Sequence, residues 1–144
     1  MKILLVEDDI VSRSVMMKLL AVYGEIEIAQ NGEKALDMFF KAFEKKAPYH
    51  LVALDIMMPG KDGQQVLKEL RKFEYDKGVM GHDGVKVIMI TALDDRKNIL
   101  EAFRSQCEAY LTKPINVKRL HEEMTKLGFS SKSEKASSLK RTDE

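Results

Sequence analysis

Two acidic clusters, a hydroxyl and a lysine, each at the end of a strand-like run, carry the chemistry this chain is able to do. Asp55 closes Leu51-Val52-Ala53-Leu54 and precedes the turn sequence Ile56-Met57-Met58-Pro59-Gly60-Lys61-Asp62-Gly63. Glu7-Asp8-Asp9 follows Ile3-Leu4-Leu5-Val6, Thr91 follows Val87-Ile88-Met89-Ile90, and Lys113 follows Tyr110-Leu111-Thr112. A short continuous apolar run reads as a strand covered on both faces. A carboxylate immediately behind such a run is costly without a task, so Asp55 reads as functional. Carboxylates, a hydroxyl and a lysine gathered at strand ends suit a phosphate and a divalent metal ion. Hard oxygen donors hold the cation, while the ammonium and hydroxyl groups meet the anion.

That convergence needs a sheet whose strands all end on one edge. Strand-like segments lie at 2–6, 25–29, 50–55, 85–91 and 108–112, with helical periodicity at 10–22, 32–46, 62–76, 94–105 and 115–127. Val117, Leu120, Met124 and Leu127 recur at three- and four-residue spacing. Asn31 and Asp62 stand where a side-chain oxygen caps the second and third helices. Asp9, just ahead of the first helix, reads as a cap rather than a metal ligand.

Alternating strands and helices predict an α/β fold with a parallel sheet covered on both faces. The first, third and fourth strands are apolar throughout and belong in its centre. Glu25-Ile26-Glu27-Ile28 alternates, and 108–112 is short and mixed, as edge strands tend to be. The flavodoxin-like (βα)5 order 2-1-3-4-5 meets these demands. Its switch point, between the first and third strands, brings Glu7, Asp8 and Asp55 together.

At 144 residues, 44% hydrophobic and 33% charged, the chain has the composition of one soluble domain. Net charge is +1, which gives no reason to expect capture of nucleic acid or of a membrane surface. No run approaches the roughly 20 apolar residues of a membrane span. Cys107 is the only cysteine, so no internal disulfide forms and a cytoplasmic location is expected. Residues 74–84 hold three glycines and predict an exposed loop. The domain is expected over 1–127. Beyond it, 128–144 is a Ser/Lys-rich tail with little to bury and is expected to be flexible.

Taken with the Thr91, Tyr110 and Lys113 spacing and the run Tyr110-Leu111-Thr112-Lys113-Pro114, these motifs resemble the receiver domain of two-component response regulators. The resemblance covers 1–127 and is to the stand-alone, chemotaxis-regulator-like type. It implies a phosphorylation-activated switch: a phosphoacceptor that assists its own phosphorylation and dephosphorylation, not a turnover enzyme. Asp55 would accept a phosphoryl group from a sensor histidine kinase or a histidine phosphotransfer protein. Mg²⁺ would be held by Asp8, Asp55 and the main-chain carbonyl of Met57, with Glu7 acting through water. Lys113 would neutralise the transferred group, and Thr91 would bind its oxygen. Tyr110 would be the switch aromatic, and the Lys113–Pro114 peptide would be cis. Output would pass to an effector protein through the face formed by the fourth helix, fifth strand and fifth helix, with homodimerisation there left open.

Two departures from the family pattern stand out. Asp55 to Thr91 spans 36 positions, more than is usual, because the 74–84 loop is enlarged. Met57 and Leu93 are both bulky where the family tunes phosphate lifetime, which predicts slow hydrolysis. For Glu7, plain exposure at a strand end weighs as much as metal binding. Alternatives are a phosphate-shuttling relay intermediate, a receiver-like docking module, and a small-molecule binder of flavodoxin type. Glu7-Asp8-Asp9 would repel the anionic cofactor of the last. An acid-nucleophile phosphatase needs a second aspartate at position 57, where Met57 stands.

Overall fold

The computed structural model of the chain describes residues 1–92 and 96–135. Strands β1 (Lys2–Val6), β2 (Glu25–Ala29), β3 (Leu51–Asp55), β4 (Lys86–Thr91) and β5 (Ala109–Thr112) alternate with helices α1 (Ile10–Leu20), α2 (Gly32–Glu44), α3 (Gly63–Asp76), α4 (Arg96–Arg104) and α5 (Val117–Lys126). All strand pairs are parallel, in the order β2-β1-β3-β4-β5. The edge and centre assignments made from strand polarity hold. β3 is buried at every position, whereas the glutamates of β2 are exposed.

Successive side chains of a strand point to opposite faces, so each central strand feeds two cores. Leu4, Val6, Val52, Leu54, Val87 and Met89 pack with residues of α2, α3 and α4. Ile3, Leu5, Leu51, Ala53, Ile88 and Ile90 pack under α1 and α5. The helices start where side-chain caps allow. Asp9 accepts from the Ser12 N–H, Asn31 from Lys34, Asp62 from Gln65 and Asn116 from Arg119. Asp62 and Gln65 complete a reciprocal capping box, fixing the start of α3 beside Asp55.

α3 ends at Asp76, where the helical pattern over 62–76 ends, and the predicted 74–84 loop holds a 3-10 turn at Gly81–Asp83. Its first residue departs from the expected exposure. Glu74 is buried, and its carboxylate accepts the Val85 N–H at 2.8 Å, closing the loop at its base. The segment after α5 also buries more than its polarity implies. Phe129 packs against the α1/α5 core, Ser131 is buried, and the Lys132 N–H donates to the Val22 carbonyl at 2.7 Å. Residues 136–144 and Leu93, with the first two positions of the predicted fourth helix, lie outside the described residues.

Candidate functional site

The site forms where β1, β3, β4 and β5 end. In-register pairing sets Val6 against Leu54, Asp55 against Ile90, and Thr91 against Thr112. Asp55 ends β3, while Glu7 and Lys113 directly follow β1 and β5, so all three meet in one crevice. Glu7 is fully buried there, Asp55 nearly so, and Asp8 is exposed. Exposure at a strand end, the bland reading of Glu7, does not hold. One carboxylate oxygen from each of Glu7, Asp8 and Asp55 lies within 4.8 Å of the others.

Lys113 reaches into this acidic group from the end of β5. Its Nζ lies 3.2 Å from Glu7, 3.4 Å from Asp55 and 3.5 Å from the Ser12 hydroxyl. The Lys113 N–H donates to the Thr91 carbonyl at 2.7 Å, and the Lys113–Pro114 peptide is cis. Burial pushes the Glu7 carboxyl up to about 7, the neighbouring Asp55 charge adds to the rise, and Lys113 opposes both. Burial acts to lower the Lys113 pKa, but Asp55 and Glu7 outweigh it and the ammonium is held more firmly charged. Among the described residues the Lys113 ammonium pairs with two of the three acids, which leaves negative charge for a further cation.

The turn after β3 shapes the rest. The Met57 N–H donates to Asp55 Oδ1 at 3.2 Å, while the Met57 side chain is 64% exposed at the mouth. Gly63 opens α3 hard against the β3 end, where a Cβ would collide with the Asp55 carbonyl oxygen and sit 2.8 Å from Ile56 Cα. Thr91 is buried at the end of β4. Tyr110 pairs two positions earlier, opposite Met89, and is half-buried with its ring edge-on to Phe103, centroids 5.7 Å apart. Asp9 serves as the cap of α1, as its position predicts. The sequence reading missed Ser12 and Phe103. Ser12 could have been found as the residue one helical turn past Asp8, facing the same crevice.

All three carboxylates offer hard oxygen ligands, and no histidine or cysteine joins them among the described residues, which fits a small divalent cation such as Mg²⁺. Beside them, a cleft of about 420 Å³ runs between α1 and the β5–α5 turn, lined by Val11, Val15, Lys113, Pro114 and Ile115.

The model of the response regulator receiver domain matches residues 3–125. The chain belongs to the receiver-domain family. It is 31% identical over 132 residues to a probable histidine kinase 2 of Oryza sativa subsp. indica, which covers 85% of this chain and 12% of that protein. It is 32% identical over 120 residues to the regulatory protein VanRB of Enterococcus faecalis, covering 83% of this chain and 48% of that one. The receiver thus spans half or less of these longer relatives. Among solved structures, the Saccharomyces cerevisiae receiver domain of Ssk1, crystallised with the histidine phosphotransfer protein Ypd1, superposes with a TM-score of 0.75. That match has 26% identity and covers 89% of this chain and 88% of that one. Vibrio cholerae chemotaxis protein CheY4 gives 0.70 at 26% identity, covering 88% and 97%.

Proposed function

We propose that this receiver is a phosphorylation-activated switch in which Asp55 accepts a phosphoryl group from a phosphohistidine. The observation that carries it is the placing of Lys113 between the buried Glu7 and Asp55, with Asp8 completing an all-oxygen set. Glu7, Asp8, Asp55 and the Met57 carbonyl would hold Mg²⁺. When bound, the ion neutralises the repulsion between a carboxylate and an anionic phosphoryl group.

Asp55 lies at the bottom of the crevice with one oxygen tied to the Met57 N–H, which leaves Oδ2 to attack. An O–P bond forms on Asp55 as the P–N bond of phosphohistidine breaks, and the imidazole leaves with the electron pair. Lys113 compensates charge on the transferred oxygens, which is most of what phosphoryl transfer asks of a protein. Thr91 binds one of those oxygens, and Tyr110 changes position with it. A donor helix carrying histidine finds exposed Ile10, Val11 and Val15 on α1 beside the cleft, an apolar landing next to the acid site. The donor is a sensor histidine kinase or a phosphotransfer protein of the kind bound to the yeast relative.

Output passes through the α4-β5-α5 face, where Leu100, Phe103 and Val117 are exposed and offer apolar contact to an effector. No helix among the described residues is long and apolar enough to cross a membrane, in keeping with work in the cytoplasm. The protein is a phosphoacceptor rather than a turnover enzyme. Intact mass after incubation with acetyl phosphate and Mg²⁺ tests the reading. The unsubstituted protein should gain one phosphoryl group and Asp55→Ala none. Equal gain in both, or none in the folded protein from acetyl phosphate and from a phosphorylated histidine phosphotransfer protein, would sink it.

A further inference from the structure

A polar stripe of α3 holds α4 in place. Gln64, Lys68 and Arg71 stand at i, i+4 and i+7 and so share one helix face. Gln64 Nε2 donates to the Asn98 carbonyl in the first turn of α4 at 2.7 Å. Lys68 Nζ meets Glu101 at mid-helix, also at 2.7 Å. Arg71 donates twice to the carbonyl of Gln106, just past the end of α4, at 3.0 and 2.7 Å.

These three ties differ in quality. Arg71 is a largely covered fork that also bonds Glu74, the Val85 carbonyl and both oxygens of Glu108. Gln106 itself is fixed at a φ of 71°, a conformation that non-glycine residues rarely hold unaided. Lys68 and Glu101 are exposed and contribute little. Gln64 is only 5% exposed, yet its Oε1 is buried with no hydrogen-bond partner among the described residues. Buried polar atoms almost always find a partner, so an orphaned acceptor marks a strained or functional position.

Gln64 also adjoins the phosphoacceptor. It follows Gly63, whose N–H donates to the Ile56 carbonyl at 3.0 Å and where an added Cβ would collide with the Asp55 backbone. One side chain thus joins the backbone behind Asp55 to the first turn of α4, whose first residue, Arg96, comes five residues after Thr91.

We propose that Gln64 is a releasable catch on the first turn of α4, and that the Arg71–Gln106 contact is the pivot about which α4 swings. The resting arrangement makes one hydrogen bond with Gln64 and leaves another unmade. Displacing the first turn of α4 lets water or a new donor reach Oε1, so the two arrangements lie close in free energy, as a switch requires. Phosphorylation as the trigger rests on the function proposed above; the catch and pivot are properties of the resting chain.

Hydrogen exchange on the unphosphorylated protein, Gln64→Met and Arg71→Lys tests this. Methionine keeps the length of the side chain and removes both polar atoms. Gln64→Met should speed exchange at amides 99–102 by tenfold or more, leave 104–107 as before, and keep the thermal midpoint at or above that of the unsubstituted protein. Arg71→Lys should loosen 104–107 first. Unchanged exchange at 99–102 in Gln64→Met, or equal loosening along α4, would overturn the proposal. So would a lower midpoint with α4 protection intact, which would assign Gln64 to packing alone. In the phosphorylated protein, loosening should begin at the N-terminal end of α4, and uniform loosening would rule out the pivot. A protein that takes up no phosphoryl group would refute the switch reading, while the resting-state comparison would still decide the catch.

Discussion

At the scale of single residues, the acidic site is a place where function works against stability. Glu7 and Asp55 are buried beside Asp8 with one ammonium between them, and the Glu7 carboxyl is pushed up to about 7 by burial and by its neighbour's charge. Asp55→Asn keeps the shape, removes one charge, and leaves Lys113 its partner Glu7. We expect it to raise the unfolding free energy of the metal-free protein by about 1 kcal/mol, because like-charge repulsion and desolvation outweigh one 3.4 Å ion pair. Added Mg²⁺ should raise the denaturant midpoint of the unsubstituted protein and move that of the variant far less. A variant less stable without Mg²⁺ would contradict this picture of the site. The place of Asp55 was legible in the sequence because a charge straight behind an apolar run is conspicuous, and that of Lys113 because of its spacing from Thr91 and Tyr110. Glu7 was not decided there, since its burial comes from neighbouring strands and from Lys113, 106 residues away. Gln64 and Arg71 were invisible, because polar residues at i, i+4 and i+7 look like the solvated face of a helix.

At the scale of elements, the β3–α3 junction carries the tightest constraint. Asp55 is placed by β3, and α3 begins against its backbone, where Gly63 leaves no room for a Cβ. Gly63→Ala must therefore displace main chain rather than a flexible side chain. An overpacking cost of about 2 kcal/mol is expected, with phosphorylation slowed tenfold or more as the carboxylate shifts. Gly60 supplies the control. It has a φ of 73° and open space around it, so Gly60→Ala brings backbone strain of about 1 kcal/mol without a clash at Asp55. Denaturant midpoints and acetyl phosphate labelling rates measure both. Equal labelling rates for the two variants would show that close approach at Gly63 does not position Asp55. The strands and most helix starts were readable from apolar runs and from Asp9, Asn31 and Asp62. The extent of α3 was readable too, from the pattern over 62–76; the burial of Glu74 was not, because nothing in its own stretch shows that its carboxylate accepts the Val85 N–H.

At the scale of the whole molecule, one pole of the sheet is left open for chemistry and the opposite pole is braced. Parallel strands expose their end groups at both poles, and here the N-terminal pole is closed by side chains and by the segment after α5. Arg71, Glu74 and Glu108 tie α3 to the starts of β4 and β5, with Glu108 accepting the Val87 N–H at 2.6 Å. Residues 128–135 add a strap: Phe129 packs on the α1/α5 core, and the Lys132 N–H bonds the Val22 carbonyl. Glu134 lies 3.1 Å from His121, whose other ring nitrogen is 3.0 Å from the Tyr23 hydroxyl. The alternation that made the fold legible says nothing about this strap, because one aromatic in a serine- and lysine-rich stretch has no periodicity to read. A chain ending at Leu127 should therefore fold, yet lose about 2 kcal/mol, the scale of one partly buried aromatic side chain with a few hydrogen bonds. Its labelling at Asp55 should stay within twofold of the full chain, since the strap lies at the far pole. Urea unfolding read by circular dichroism would measure the loss. An unchanged midpoint would mean that the ordering entropy of 128–135 cancels its contacts, and a large fall in labelling would mean that the two poles are coupled through the sheet.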